Sequence, residues 1–212
     1  MAQSPDLLSF AIPIAIVLLA LTIHEAAHAW TADKLGDPTA RLLGRVSLNP
    51  VVHIDPIGTI LLPLLAIYSG FPIIGWAKPV PVNISRLHQP RRDFMIVAAA
   101  GPISNLLQAV AAAIVLRALM PSDPFAATDS LLLGILDHAV RINVLLALFN
   151  LIPVPPLDGG NVLAGLLPPA AASVFVSLRP FGFLILYALM FTGMLSALII
   201  PPAIFLLRLL LP

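Results

Sequence analysis

The chain contains no cysteine among its 212 residues. That excludes disulfides, thiolate nucleophiles and cysteine-type zinc sites together. Charge is scarce: Asp, Glu, Lys and Arg make up 10% of the sequence, against about a quarter in an ordinary soluble domain. Glutamate is nearly missing. Nine of the ten acidic residues are aspartates, and Glu25 stands alone. The formal net charge is +1, so no basic footprint for nucleic acid is present. No Lys or Arg precedes the first apolar run, and that run is too long for the core of a secretory signal, so Glu25 is expected to stay in the mature protein. No internal repeat is evident, and no stretch is long and polar enough for a soluble regulatory domain.

What fills the space is apolar. Hydrophobic residues make up 59% of the chain, and the mean hydropathy is +1.02. These values predict an all-α multi-pass membrane protein with about four to six transmembrane segments. The first apolar segment, Leu7 to Trp30, is long enough to cross a hydrocarbon layer of about 30 Å. Later spans are expected at Phe94 to Leu119 and from about Leu131 or Ala139 to Val154. The C-terminal run Phe181 to Leu211 is interrupted by Pro201-Pro202. Ile57 to Tyr68 is apolar but short, as re-entrant segments are. Seven of the eleven basic residues flank it: Lys34, Arg41, Arg45, Lys78, Arg86, Arg91 and Arg92. Both flanks then prefer the cytoplasm, so the segment is expected to dip in and return. The stretch Met120 to His138 holds Asp123, Asp129 and Asp137 and no basic residue, which reads as external. The whole is expected to be a single integral-membrane domain, with a core at about 7–168 and a hydrophobic tail at 181–211. A short re-entrant or β-like region would lie between the first two full spans.

Within the first span stands "HEAAH", His24 to His28. On a helix, positions i and i+4 share a face, so both imidazoles can reach one metal ion. Glu25 beside them can act as a general base. Zinc suits this ligand set because it accepts nitrogen and oxygen donors and keeps an open position. A third ligand is required. A second glutamate does not exist, and the extension to a third histidine fails because Thr31 and Lys34 occupy the Gly and His positions. His53, His88, His138 or an aspartate remain. His88 reads as a surface residue beside Arg91-Arg92, and His138 falls toward the opposite side. His53 reads as an interface histidine or a gating group near the site. Asp158 closes "NLIPVPPLDGG" at the end of a span that runs the same way as the first, so both motifs reach one membrane side.

These segments resemble the site-2 proteases, a family of intramembrane zinc metalloproteases. The resemblance runs from about Leu7 to Pro168 through "HEAAHAW", "GRVSLNPVVHIDPIGT", "GWAKPVPVN", "AAAGPISN" and "NLIPVPPLDGG". It implies a Zn2+ ion held by His24, His28 and Asp158, with Glu25 as general base. It also implies an oxyanion or substrate role for Asn105 and Asn150; the physical alternative is that each amide bonds between helices. The function implied is hydrolysis of peptide bonds in or near transmembrane segments of membrane-protein substrates, at the cytoplasmic side of a prokaryotic cell membrane. Many such proteins carry an added PDZ or CBS domain. Without one, substrate recognition falls to the membrane core, to a regulatory membrane partner or to a second copy of the chain.

Trp30 suits the membrane interface. At 1.5 Å per residue, His24 then sits about 9 Å below it. A substrate helix must unwind to expose a carbonyl there. The proline-extended stretch Ala77 to Asn83, with Lys78, Val80 and Val82, is expected to offer an edge strand to it. The small residues of Ala98 to Ser104 are expected to pack against the HEAAH helix. The rival functions are a non-proteolytic metal-binding or transport protein and a pseudoprotease that chaperones membrane helices. A transporter would need further ionisable groups along a path, and the spans hold almost none outside the one motif.

Overall fold

The computed structural model describes residues 7–70, 75–120 and 130–212. Nine α-helices are present among them: α1 (Leu7–Lys34), α2 (Thr39–Leu42), α3 (Leu62–Ser69), α4 (Pro90–Leu119), α5 (Leu131–Asn150), α6 (Asp158–Leu166), α7 (Pro169–Val176), α8 (Gly182–Phe191) and α9 (Met194–Leu210). No strand occurs among the described residues. Four stretches are long and apolar enough to cross a membrane: Ala11–Lys34, Pro90–Leu119, Leu131–Asn150 and Pro169–Phe191. The expected all-α fold is therefore what the chain adopts. Asp123 and Asp129 of the expected external loop lie outside the described residues. Asp137 lies on α5 and pairs with Arg141 at 2.7 Å.

The centre of the molecule is α4, packed between α1, α5 and α6. Small residues make the close approach possible. Ala20, Ala29 and Ala32 are buried on α1, while Ala109 and Ala113 of α4 meet Val140 and Val144 of α5 and Ala203 of α9. In α6, a Cβ on Gly165 would lie 2.6 Å from the Met95 Cβ, so that position tolerates no side chain without a shift.

Helix ends follow local chemistry. Pro153 disfavours a helical conformation at Ile152, and α5 stops at Asn150. The following turn is pinned by Ile152 and Leu157 against Leu186 of α8. The C-terminal run breaks at a different place from the one its prolines suggest. Pro201 and Pro202 lie inside α9, and the interruption falls at Gly193, whose φ of 75° no β-carbon would favour. From there α9 runs antiparallel to α5. Leu195 and Ile199 pack near Ile152, and the last carbonyls reach the far end of α4, where the Arg117 guanidinium donates to Leu209 at 2.8 Å and Leu210 at 3.2 Å.

The expected re-entrant region folds back on itself. Asp55 caps it by accepting from the N–H groups of Ile57 and Gly58 at 3.0 and 2.7 Å. A wide helical turn at Pro56–Leu61 continues into α3, which ends at Gly70 with φ 65°. By Trp76 the chain has returned to its start. The Trp76 N–H donates to the Gly58 carbonyl at 3.1 Å, and the Lys78 N–H to the His53 carbonyl at 2.9 Å. Gly58 is required here because the Trp76 ring occupies the place of a Cβ, 2.5 Å away.

Candidate metal centre

His24 and His28 face α4 from one side of α1 and are 3% and 8% exposed. Their Nε2 atoms lie 3.1 Å apart. Asp158, the first residue of α6, places Oδ2 3.1 Å from His24 Nε2 and 3.4 Å from His28 Nε2. Three ligand atoms thus converge on one point, and they form the candidate metal group among the described residues.

The tautomers show what this point is for. His24 Nδ1 lies 2.6 Å from Asn105 Oδ1, and His28 Nδ1 lies 2.7 Å from the Val97 carbonyl. Both partners are acceptors, so each imidazole carries its proton on Nδ1. With neutral imidazoles, the form that binds a metal, both Nε2 atoms present lone pairs to each other and to a carboxylate oxygen. Asp158 Oδ2 is buried and has no donor. Three facing acceptors repel unless a cation sits among them. Two nitrogens and one oxygen, with fixed ring orientations, fit zinc with its fourth position open.

Each element has a local reason to deliver its ligand. Gly101 of α4 lies where the imidazoles cross; a Cβ there would be 2.3 Å from His28 Nε2 and 2.5 Å from His24 Nε2. Pro102 follows, without a backbone N–H. On the other side, "DGG" lets α6 begin tightly against the preceding turn. A Cβ on Gly159 would lie 2.2 Å from the Leu151 carbonyl oxygen, and one on Gly160 2.8 Å from Pro155 N.

Glu25 follows His24 and precedes His28 by three positions, which are neighbours on a helix surface. Its side chain is half-buried. It makes no hydrogen bond or ion pair to any described residue.

The remaining expected residues divide. Asn105 is fully buried. Its carbonyl accepts from His24, and its amide donates to Asn143 Oδ1 at 2.9 Å and to the Ala20 carbonyl at 3.5 Å. Both its donors are thus engaged between helices, and its carbonyl fixes the His24 ring. Asn150 donates to the Leu146 carbonyl of its own helix at 3.0 Å. His53 is buried outside the cluster, with Nε2 2.8 Å from the Ser47 carbonyl. His88 and His138 are exposed and outside it as well. Lys78, Val80 and Val82 lie in an extended segment; Lys78 is held at both backbone groups, since its carbonyl accepts from the Arg45 guanidinium at 2.5 Å. Val82 packs toward Ala32 and Leu87. Ala98 to Ser104 does pack on the HEAAH helix.

Asn143, the Val97 carbonyl and the contact of Gly101 with the two imidazoles were not singled out by sequence reasoning. An amide inside the apolar α5 was a signal for the first. The other two depend on which face of α4 meets α1, which no local pattern reports.

The profile of Peptidase family M50 matches residues 120–193. The chain is 37% identical over 187 residues to "Putative zinc metalloprotease YwhC" of Bacillus subtilis, covering 87% of this chain and 82% of that one. The chain belongs to peptidase family M50. Two mycobacterial proteins that share the designation, both called Rip2, are also similar. That of Mycolicibacterium smegmatis is 32% identical over 88% of this chain and 69% of its own, and that of Mycobacterium tuberculosis H37Rv is 31% identical over 85% and 66%. No solved structure matches. The M50 chain is a zinc metalloprotease by family, and its His-His-Asp group is the donor set such an enzyme needs.

Proposed function

We propose that this M50 peptidase cuts peptide bonds in or near transmembrane segments of membrane-protein substrates, from a site near the cytoplasmic side of the cell membrane. The observation that carries the reading is the convergence of Asp158 on His24 and His28, which with Glu25 stand on a helix long and apolar enough to cross a membrane. A hydrolytic centre at that depth meets peptide bonds that soluble proteases do not reach. The clustering of basic residues at 31–93 supports the cytoplasmic assignment.

The two Nε2 atoms and Asp158 would hold the zinc, which would supply Lewis acidity at the site. The protein's own groups do the rest. Asn105 and the Val97 carbonyl hold the imidazoles in the Nδ1–H tautomer, so both Nε2 lone pairs stay available. Glu25 takes the proton of the attacking water and returns it to the departing amide nitrogen. The extended segment at 75–83 is suited to lie beside an unwound substrate because it is not engaged in a ladder. A regulatory membrane protein or a second copy of the chain would govern access.

Glu25→Gln tests the reading. Zinc content should be unchanged, while cleavage of a transmembrane peptide falls by roughly two to four orders of magnitude, the usual worth of a general base. Cleavage that survives with zinc bound would falsify the mechanism. A wild-type protein that binds zinc but cleaves nothing would favour a metal-handling or helix-binding role instead.

A further inference from the structure

A second feature lies at the N-terminal end of α4, away from the metal ligands. Arg91 and Arg92 stand on its first turn and are exposed. With Gln89, Met95, Gly165 and Leu166 they line a groove of about 540 Å3 between α4 and the C-terminal end of α6. The charge there is uncompensated. Neither arginine pairs with a carboxylate among the described residues, and Arg92 donates only to Gln89 Oε1 at 3.2 Å. The nearest acid in sequence, Asp93, is buried and accepts from the Gln89 N–H at 2.7 Å. The opposite wall is apolar, and Leu166 is 68% exposed on it.

We infer that this groove binds the headgroup of an anionic glycerophospholipid. The Pro90–Leu119 stretch, long and apolar enough to cross a membrane, begins here, and basic side chains at the start of such a span suit the level of anionic lipid headgroups. A guanidinium fork matches a phosphate in geometry and charge, and the Met95–Leu166 wall offers an apolar track for an acyl chain. A free anion would use the arginines and leave that wall bare. The bound lipid would bridge α4 to α6, whose other end supplies Asp158, and so brace the helix that carries a metal ligand. The inference concerns the protein in its membrane and stands whether or not the peptide-cleavage reading holds.

The test is native mass spectrometry of the purified protein in mild detergent, with equal amounts of phosphatidylglycerol and phosphatidylcholine. The wild type should retain one phosphatidylglycerol in preference. In an Arg91→Gln/Arg92→Gln double variant the preference should fall roughly tenfold or more, since each basic side chain near a membrane surface is worth about fivefold. A Lys34→Gln/Arg86→Gln variant, which loses the same charge elsewhere, should stay within about twofold of wild type. Equal retention in the Arg91/Arg92 variant, or an equal loss in the control, overturns the site. Displacement of the lipid by glycerol 1-phosphate at equal concentration overturns the lipid assignment. If the glutamine variant has lost its zinc, Arg91→Lys/Arg92→Lys is read in its place: it keeps charge without the fork and should show an intermediate loss, and an unchanged preference overturns the proposal.

Discussion

The metal centre and the region from Asp37 to Asn83 are both rich in polar groups, and they use them in opposite ways. At the metal centre, side chains bond to side chains and carbonyls on other helices: His24 to Asn105, Asn105 to Asn143, His28 to the Val97 carbonyl. Three helices are thereby locked in rotation, and one acceptor, Asp158 Oδ2, is left without a donor. Between Asp37 and Asn83, side chains serve mainly to hold backbone. Asp37 accepts from the Thr39 hydroxyl at 2.5 Å, the Thr39 N–H at 3.1 Å and the Asn83 N–H at 2.6 Å. Asn49, Asp55 and Asn83 cap short turns. The first arrangement fixes atoms for chemistry at one point. The second ties an extended segment to the end of α1 without committing all its backbone groups.

The comparison breaks first at Gly101. Gly101→Val should abolish zinc binding, because its side chain would occupy the position of both imidazoles; metal analysis of the purified variant checks this. Asn105→Ala should lower zinc affinity by roughly 10–100-fold, the usual cost of losing a partner that orients a ligand. A chelator competition assay reads it. Asn143→Ala acts through Asn105 and should lie below that range in the same assay. An Asn143 effect as large as that of Asn105 would mean the chain of amides acts as one unit.

Asp37→Asn should do the reverse of these. It should leave zinc affinity unchanged and lower stability by about 1.5–3 kcal/mol, the worth of hydrogen bonds to a charged group, as a lower thermal midpoint in detergent. The same clip should be acid-sensitive. Burial pushes the Asp37 carboxyl up, but the Thr39 hydroxyl and the Asn83 and Thr39 amides outweigh it and hold it below its ordinary value of 3.8. A depressed carboxyl stabilises the fold above its unfolded pKa and loses that contribution as pH falls through its folded value. Stability from this clip should therefore be flat at neutral pH and drop only in strong acid. The smallest effect is expected at Lys78. Lys78→Ala keeps both backbone bonds, so the thermal midpoint should move by no more than about 0.5 kcal/mol equivalent. Cross-linkers placed from Lys78 to Ile84 should still capture a substrate peptide, and failure at every position would remove the edge-strand role.

Much of this was legible in the sequence, for identifiable reasons. HEAAH is local: helical periodicity alone puts two imidazoles on one face. Asp158 was reached by elimination and shared sidedness, and both are properties of the linear sequence. The spans at α1, α4 and α5 were legible because their apolar runs are long. The break at Gly193 was not, because two prolines nearby gave a stronger local signal than one glycine. Asn105 was identified as important with its role left open, since whether an amide orients a ligand or faces a substrate depends on helix rotation. Gly101 was legible as a packing residue. That it packs on the two ligands themselves is a fact about which residues lie across the interface.

The ligands of the metal centre come from residues 24, 28 and 158, and this spacing has a consequence in time. A ribosome completes the HEAAH helix long before it reaches the aspartate. Throughout that interval the growing chain carries Glu25 and two imidazoles but cannot complete the ligand set. The centre becomes competent only after α4 and α5 are made and α6 has turned back against them. Correct assembly of the bundle is thus a precondition for gathering the three ligand groups at one point.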